Sequence, residues 1–92
     1  VRVWVASQIV FRENFGWSNL REVMERAVED YFLELRKQWA DNDSLVVRIS
    51  QIESRLLAVD GVVDVTETKL NGRAENLTLG KYEIPVLGGV SA

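Results

Sequence analysis

The chain has no cysteine and no histidine, and it holds a single proline. Without cysteine there are no disulfides and no thiolate metal ligands. Without histidine, the usual acid–base group at neutral pH and the commonest metal ligand are also missing. Excess positive charge is lacking too. Eleven basic residues stand against 14 acidic ones, a formal net charge of -3, which favours solubility and gives no large positive field for nucleic acid. No apolar run approaches the roughly 20 residues needed to cross a bilayer, so no membrane partner is expected. No charged leader with an apolar stretch and a small-residue cleavage site is found. Ninety-two residues set the limit at one domain with a modest core, burying about 60–65% of the unfolded surface. Strand-like sequence starts at Val1, with no Met or loose lead-in. Residues 1–92 are therefore expected to be a single α/β domain, a piece of a longer protein.

What is present is organised around Ser18 to Trp39. Leu20, Val23, Met24, Ala27, Val28, Tyr31, Phe32, Leu35 and Trp39 recur in steps of three and four, which predicts a long amphipathic helix. Asn19 followed by Glu22 has capping-box spacing and is the preferred cap over Ser18, with Phe15 or Trp17 stapling the entering chain. Arg21–Glu25 and Glu22–Arg26 are set for four-residue ion pairs. Upstream, Val1, Val3, Val5, Ile9 and Phe11 alternate with Arg2, Trp4, Gln8 and Val10, as in a strand with a bend near Ala6-Ser7. Its side carrying Val1, Val3 and Val5 is expected to face a helix.

Downstream, Asp41-Asn42-Asp43-Ser44 is a turn-forming run. Leu45-Val46-Val47 reads as a short strand or extended link. Ser50-Gln51-Ile52-Glu53 has capping-box spacing and opens a second helix through Ile52, Leu56, Leu57 and Val59, broken at Asp60-Gly61. Val62 to Leu70 is rich in β-branched residues, with Val63 and Val65 alternating against Asp64 and Thr66. Asn71-Gly72 is the strongest turn signal. Leu77-Thr78-Leu79 and Tyr82-Glu83-Ile84 are brief, Pro85 limits any ladder, and Gly88-Gly89 reads as a loose end. The expected fold class is α+β: two layers, with two helices on one face of a small, mainly antiparallel sheet, in the order β-α-β-α-β plus a terminal hairpin.

No reactive constellation emerges. Glu29, Asp30 and Glu34 read as a solvated helix face rather than paired carboxylates. Asp41, Asn42 and Asp43 lack the later glycine and glutamate of a calcium loop. Asn71-Gly72-Arg73 reads as a surface turn rather than an anion cradle. Gly88-Gly89 lacks the lysine and serine of a phosphate loop. Ser50 has no general base and reads as a cap. No catalytic residue, cofactor or metal is expected. The tryptophans Trp4, Trp17 and Trp39 are more aromatic bulk than a small core hides easily, and aromatics are enriched at protein contacts.

Several elements in fixed order carry a resemblance. They are Ile52-Glu53, then Val59-Asp60-Gly61-Val62-Val63-Asp64-Val65, then Asn71-Gly72, then Glu83-Ile84-Pro85-Val86-Leu87-Gly88. Together they resemble the C-terminal portion of phage baseplate J-like proteins, wedge components of contractile-tail baseplates and prophage particles. The resemblance implies a structural, non-enzymatic role in wedge assembly. The implied partners are other baseplate or tail proteins and self-association, with no nucleic acid and no small-molecule substrate. The implied location is the virion tail baseplate, assembled in the bacterial cytoplasm. Contacts are expected at Trp4, Trp17, Trp39 and the segment Ile84, Pro85, Val86 and Leu87. Two other readings stay open. One is a ferredoxin-like regulatory or ligand-binding module, marked by a pocket of convergent polar groups. The other is an enzyme fragment using Asp64, Glu67 or Glu83 as acid or base.

Overall fold

The structure, a computed structural model, describes residues 1–38 and 44–91. The elements are β1 (Arg2–Phe11), α1 (Trp17–Gln38), β2 (Leu45–Val47), α2 (Ile49–Leu57), β3 (Val62–Leu70), β4 (Leu77–Leu79) and β5 (Val86–Ser91). The expected two-layer α+β class stands. A three-stranded sheet has the order β3-β1-β5, and a separate two-stranded sheet pairs β2 with β4. β1 is antiparallel to β3 and parallel to β5. The last segments therefore do not fold back on each other. β4 joins β2, and the Gly88-Gly89 stretch, expected to be loose, is the middle of strand β5.

The core lies between the three-stranded sheet and the helices. α1 supplies Leu20, Met24, Val28, Tyr31, Phe32 and Leu35, β1 supplies Val3 and Val5, and α2 supplies Ile52 and Leu56. Steps of four and three in α1 keep this stripe on one side of the helix. Val23, expected on the apolar face, borders the stripe and is 52% exposed. Trp39 and Asp41-Asn42-Asp43 lie outside the described residues.

Both cap expectations are corrected. α1 starts at Trp17, and the Gly16 carbonyl accepts from the amides of Asn19 (3.1 Å) and Leu20 (3.2 Å). Asn19 is thus inside the first turn. The cause is tertiary. Phe15 and Leu20 both close over Gly61, where an added Cβ would lie 2.6 Å from the Phe15 ring and 3.0 Å from Leu20 Cδ1. Residues just before the cap and at the fourth helical position are the two ends of a hydrophobic staple, so Phe15 fills the staple role. The Arg21–Glu25 pair forms at 2.9 Å.

Ser50 likewise lies within α2 and is not its cap. The capping position is Arg48, which makes no side-chain capping bond. Instead Asn76 Oδ1, arriving from far along the chain, accepts the Ile49 amide at 2.9 Å, and the Tyr31 hydroxyl accepts the Arg48 amide at 3.0 Å. Glu53 is thereby free to turn toward β3, where it accepts the Thr68 hydroxyl at 2.8 Å.

β3 departs from simple alternation. Ala6 faces Lys69 and Gln8 faces Thr66, so β3 carries one extra residue there; Glu67, with φ of 52°, sits in this bulge. A second shift between Val10 and Phe11 makes Val63 extra. Each bulge moves the following residues to the other face. Val62, Val65 and Thr68, spaced by three, are consequently buried, whereas Val63, expected to share the Val65 face, is 56% exposed. The expected bend near Ala6-Ser7 is the place where the first bulge meets β1. Ser7 Oγ and Thr68 Oγ1 share a hydrogen bond of 2.8 Å there, both residues being buried.

Candidate interaction surface

Because side chains alternate along β1, burying Val3 and Val5 against the helices sends Arg2, Trp4, Ala6, Gln8 and Val10 to the opposite face. All five are exposed, and no element of the described residues covers them. Their neighbours in register are Lys69, Thr66 and Asp64 on β3 and Val86, Gly89 and Ser91 on β5. The outer face is thus a mixed surface with apolar points at Trp4, Val10 and Val86. Trp4 and Val10 are each 54% exposed.

Trp4 is held on this surface by design of the backbone around it. Its amide donates to Asn71 Oδ1 at 2.8 Å, and its carbonyl accepts the Asn71 amide at 2.9 Å. Asn71 Nδ2 also reaches the Arg2 carbonyl at 3.3 Å. The Asn71-Gly72 turn has positive φ at both residues, and Leu70 and Arg73 exchange backbone bonds of 2.8 and 3.0 Å across it. This is the backbone of a tight primed turn, and its asparagine side chain extends the ladder onto β1. On the other side the indole lies over Gly88 and Gly89. A Cβ at Gly88 would stand 2.8 Å from the ring, and one at Gly89 3.1 Å. The two glycines form a shelf that only the absence of side chains permits.

The other expected contact residues are placed differently. Trp17 is half-buried and packs against the edge of the core. Pro85 is fully buried, and its carbonyl accepts Arg36 Nε at 3.0 Å. Ile84 and Val86 are exposed on either side of it, and Leu87 is half-buried. The structure therefore brings Trp4 and Val86 onto one face. It sets Trp17 apart, in the first turn of α1. Trp39 lies outside the described residues. Sequence reasoning missed Asn71 as the anchor of Trp4; its only signal was the Asn-Gly turn, which does not say what the side chain will meet.

The carboxylates considered for chemistry do not converge. Glu29 pairs with Arg36 at 2.7 Å, and Glu34 pairs with Arg55, whose guanidinium lies 5.4 Å from the Tyr31 ring centre. Asp64 Oδ1 accepts the Val65 amide at 2.9 Å, and Glu83 accepts the Gly80 amide at 2.6 Å, each a local turn or strand contact. Glu67 is exposed in its bulge. Among the described residues no cluster of three or more acidic, cysteine or histidine residues is arranged to hold a metal. A shallow groove of about 410 Å³, lined by Trp4, Arg21, Glu25, Gly88, Gly89 and Ser91 among others, follows β5.

The family described as Baseplate J-like protein C-terminal domain matches residues 5–92. The uncharacterized protein YqbT of Bacillus subtilis (strain 168) is 40% identical over 68 residues, covering 74% of this chain and 19% of YqbT. The phage-like element PBSX protein XkdT of the same organism is 31% identical over 88 residues, covering 96% of this chain and 24% of XkdT. The chain thus spans a quarter or less of the length of these relatives. It belongs to the family of Baseplate J-like protein C-terminal domains.

Proposed function

We propose that this chain is the C-terminal domain of a longer phage or prophage tail protein, and that it works as a structural piece making subunit contacts during wedge assembly in a contractile-tail baseplate. The partners are other baseplate or tail proteins. The assembly forms in the bacterial cytoplasm and ends in the virion tail, and no reaction is involved. The family match over residues 5–92 carries this reading. The name of its relative XkdT, a protein of a phage-like element, is in keeping with it. The contact surface is the outer sheet face around Trp4 and Val86, with Ile84 beside it and the exposed part of Trp17 as a lesser point. An exposed tryptophan on a rigid shelf loses little side-chain freedom when a partner covers it, which is why such residues dominate binding energy.

The test is co-expression of the full-length protein with the other tail proteins of its element, followed by native mass measurement of the complexes. Complexes should form with wild type and weaken at least about tenfold with Trp4→Ser, the loss of one anchoring aromatic. Free full-length protein with no co-assembly overturns the reading.

A further inference from the structure

Asn71-Gly72 is the one Asn-Gly step in the chain; the other asparagines are followed by Phe15, Leu20, Asp43 and Leu77. The amide nitrogen after an asparagine is placed to attack the side-chain carbonyl carbon and close a five-membered imide. A bulky following residue hinders that approach, and glycine leaves it open. The fold leaves this turn accessible. Both residues are exposed. Among the described residues no group bonds the Gly72 amide. A Cβ added at Gly72 would meet nothing within 4 Å, so water and solvent base reach the turn freely.

We propose that Asn71 is a site of spontaneous covalent modification: it converts to isoaspartate and aspartate through an imide with Gly72, and the isoaspartate product releases Trp4 from its anchor. In the first step the Gly72 nitrogen, its proton taken by solvent base, bonds to Asn71 Cγ. The Cγ–Nδ2 bond breaks, and Nδ2 leaves as ammonia with a proton from solvent. Water then opens the imide. Attack at Cγ restores the ordinary main chain and gives aspartate. Attack at the former main-chain carbonyl leaves the chain running through Cγ and gives isoaspartate. The net change is one water taken up and one ammonia released, with no oxidation or reduction.

The fold sets the rate and decides what each product does. Asn71 Oδ1 accepts the Trp4 amide at 2.8 Å, and Nδ2 donates to the Arg2 carbonyl at 3.3 Å. Ring closure turns the side chain toward the Gly72 nitrogen, so both bonds have to be given up first. Two exposed hydrogen bonds correspond to a slowing of about 10–100-fold against the unfolded chain. The aspartate product keeps an acceptor for the Trp4 amide. The isoaspartate product adds a methylene to the main chain between Leu70 and Arg73, whose paired bonds of 2.8 and 3.0 Å close the turn at its ordinary length. It also shifts the Asn71 amide, which donates to the Trp4 carbonyl at 2.9 Å. Trp4 then loses both backbone partners, while the inner face of the sheet is untouched.

Peptide mapping by mass spectrometry during prolonged incubation in warm, mildly alkaline buffer tests the site. The folded chain should convert at Asn71 faster than at Asn14, Asn19 or Asn76, and about 10–100-fold more slowly than the same chain in guanidinium chloride. The rate should rise with pH, because the Gly72 amide gives up its proton. Chromatography then separates the isoaspartyl form, and amide exchange is read at Trp4 and Val28. Exchange at Trp4 should quicken at least about tenfold in the isoaspartyl form and stay within about threefold of wild type in Asn71→Asp, with Val28 unchanged in both. No conversion at Asn71 beyond that of the other asparagines, equal rates in the folded and unfolded chain, an isoaspartyl form whose Trp4 exchanges like wild type, or equal quickening at Val28 overturns the proposal. The site stands apart from the assembly role. A full-length protein that co-assembles without ever converting at Asn71 sinks the modification alone, and one that converts without co-assembling sinks the assembly role alone.

Discussion

The two faces of the three-stranded sheet use the same strand for opposite purposes. On the inner face Val3, Val5, Val62 and Val65 meet Met24, Val28, Phe32 and Ile52, all buried. On the outer face, one residue further along β1, Trp4 and Val10 stand in solvent with Arg2, Gln8 and Lys69 around them. The inner face is held by area removed from water, at about 25 cal/mol per Å². The outer face holds its one large aromatic in place with backbone bonds from Asn71 and a floor of glycine. The first arrangement stabilises the fold; the second fixes an exposed aromatic in place without adding much to stability, which is what the proposed contact surface needs. The comparison separates residues whose loss unfolds the chain from residues whose loss leaves the fold intact and removes only the proposed contact.

Substitutions on the two faces should therefore diverge. Phe32→Ala, at the centre of the inner layer and fully buried, should lower stability by about 3–5 kcal/mol, read from the urea midpoint; a loss under about 1 kcal/mol would mean that the inner face is not the main core. Thr68→Val comes next. Its hydroxyl links Ser7 and Glu53, and removing it leaves buried groups without their partner, for about 1–3 kcal/mol. Thr68→Ser should recover most of that in the same denaturation assay, because it keeps the hydroxyl.

Asn71→Ala lies on the boundary between the two faces. It removes the side-chain bonds to Trp4 and Arg2 from an exposed site and should cost about 0.5–1.5 kcal/mol. Amide exchange at Trp4 should quicken more than exchange at Val28. Trp4→Ser should have the smallest effect on folding, within about 0.5 kcal/mol, while weakening co-assembly as proposed above. A large loss of stability from Trp4→Ser would erase the distinction between the faces.

The elements with strong local signals were legible in the chain. The stripe from Leu20 to Leu35, the β-branched run from Val62, the glycine at 61 and the Asn-Gly turn each sit where their spacing placed them. The core face of α1 was legible for the same reason, since one helical period aligns it. Legibility failed where a residue's role depends on a distant neighbour. Asn19 and Ser50 had the spacing of caps, but the Phe15–Leu20 staple on Gly61 and the Asn76 side chain took over those helix starts. Val63 was misplaced because a bulge is a property of a strand pair. The candidate surface was legible in part: Trp4 and Val86 stand on it, while Pro85, one residue from Val86, is buried.

What the amino-acid order determined alone was local: two helices, the strands at the start of the chain and after Gly61, the sharp turns, and the lack of any histidine or cysteine for chemistry. These follow from backbone sterics and from periodicity, which act over a few neighbouring residues. The partnering of strands was decided only in three dimensions. β5 lies parallel to β1, β4 goes to a separate sheet, and Trp4 finds its glycine shelf 84 positions downstream at Gly88. Pairings of that range carry no local signal, because each depends on which surfaces are left uncovered once the helices have packed.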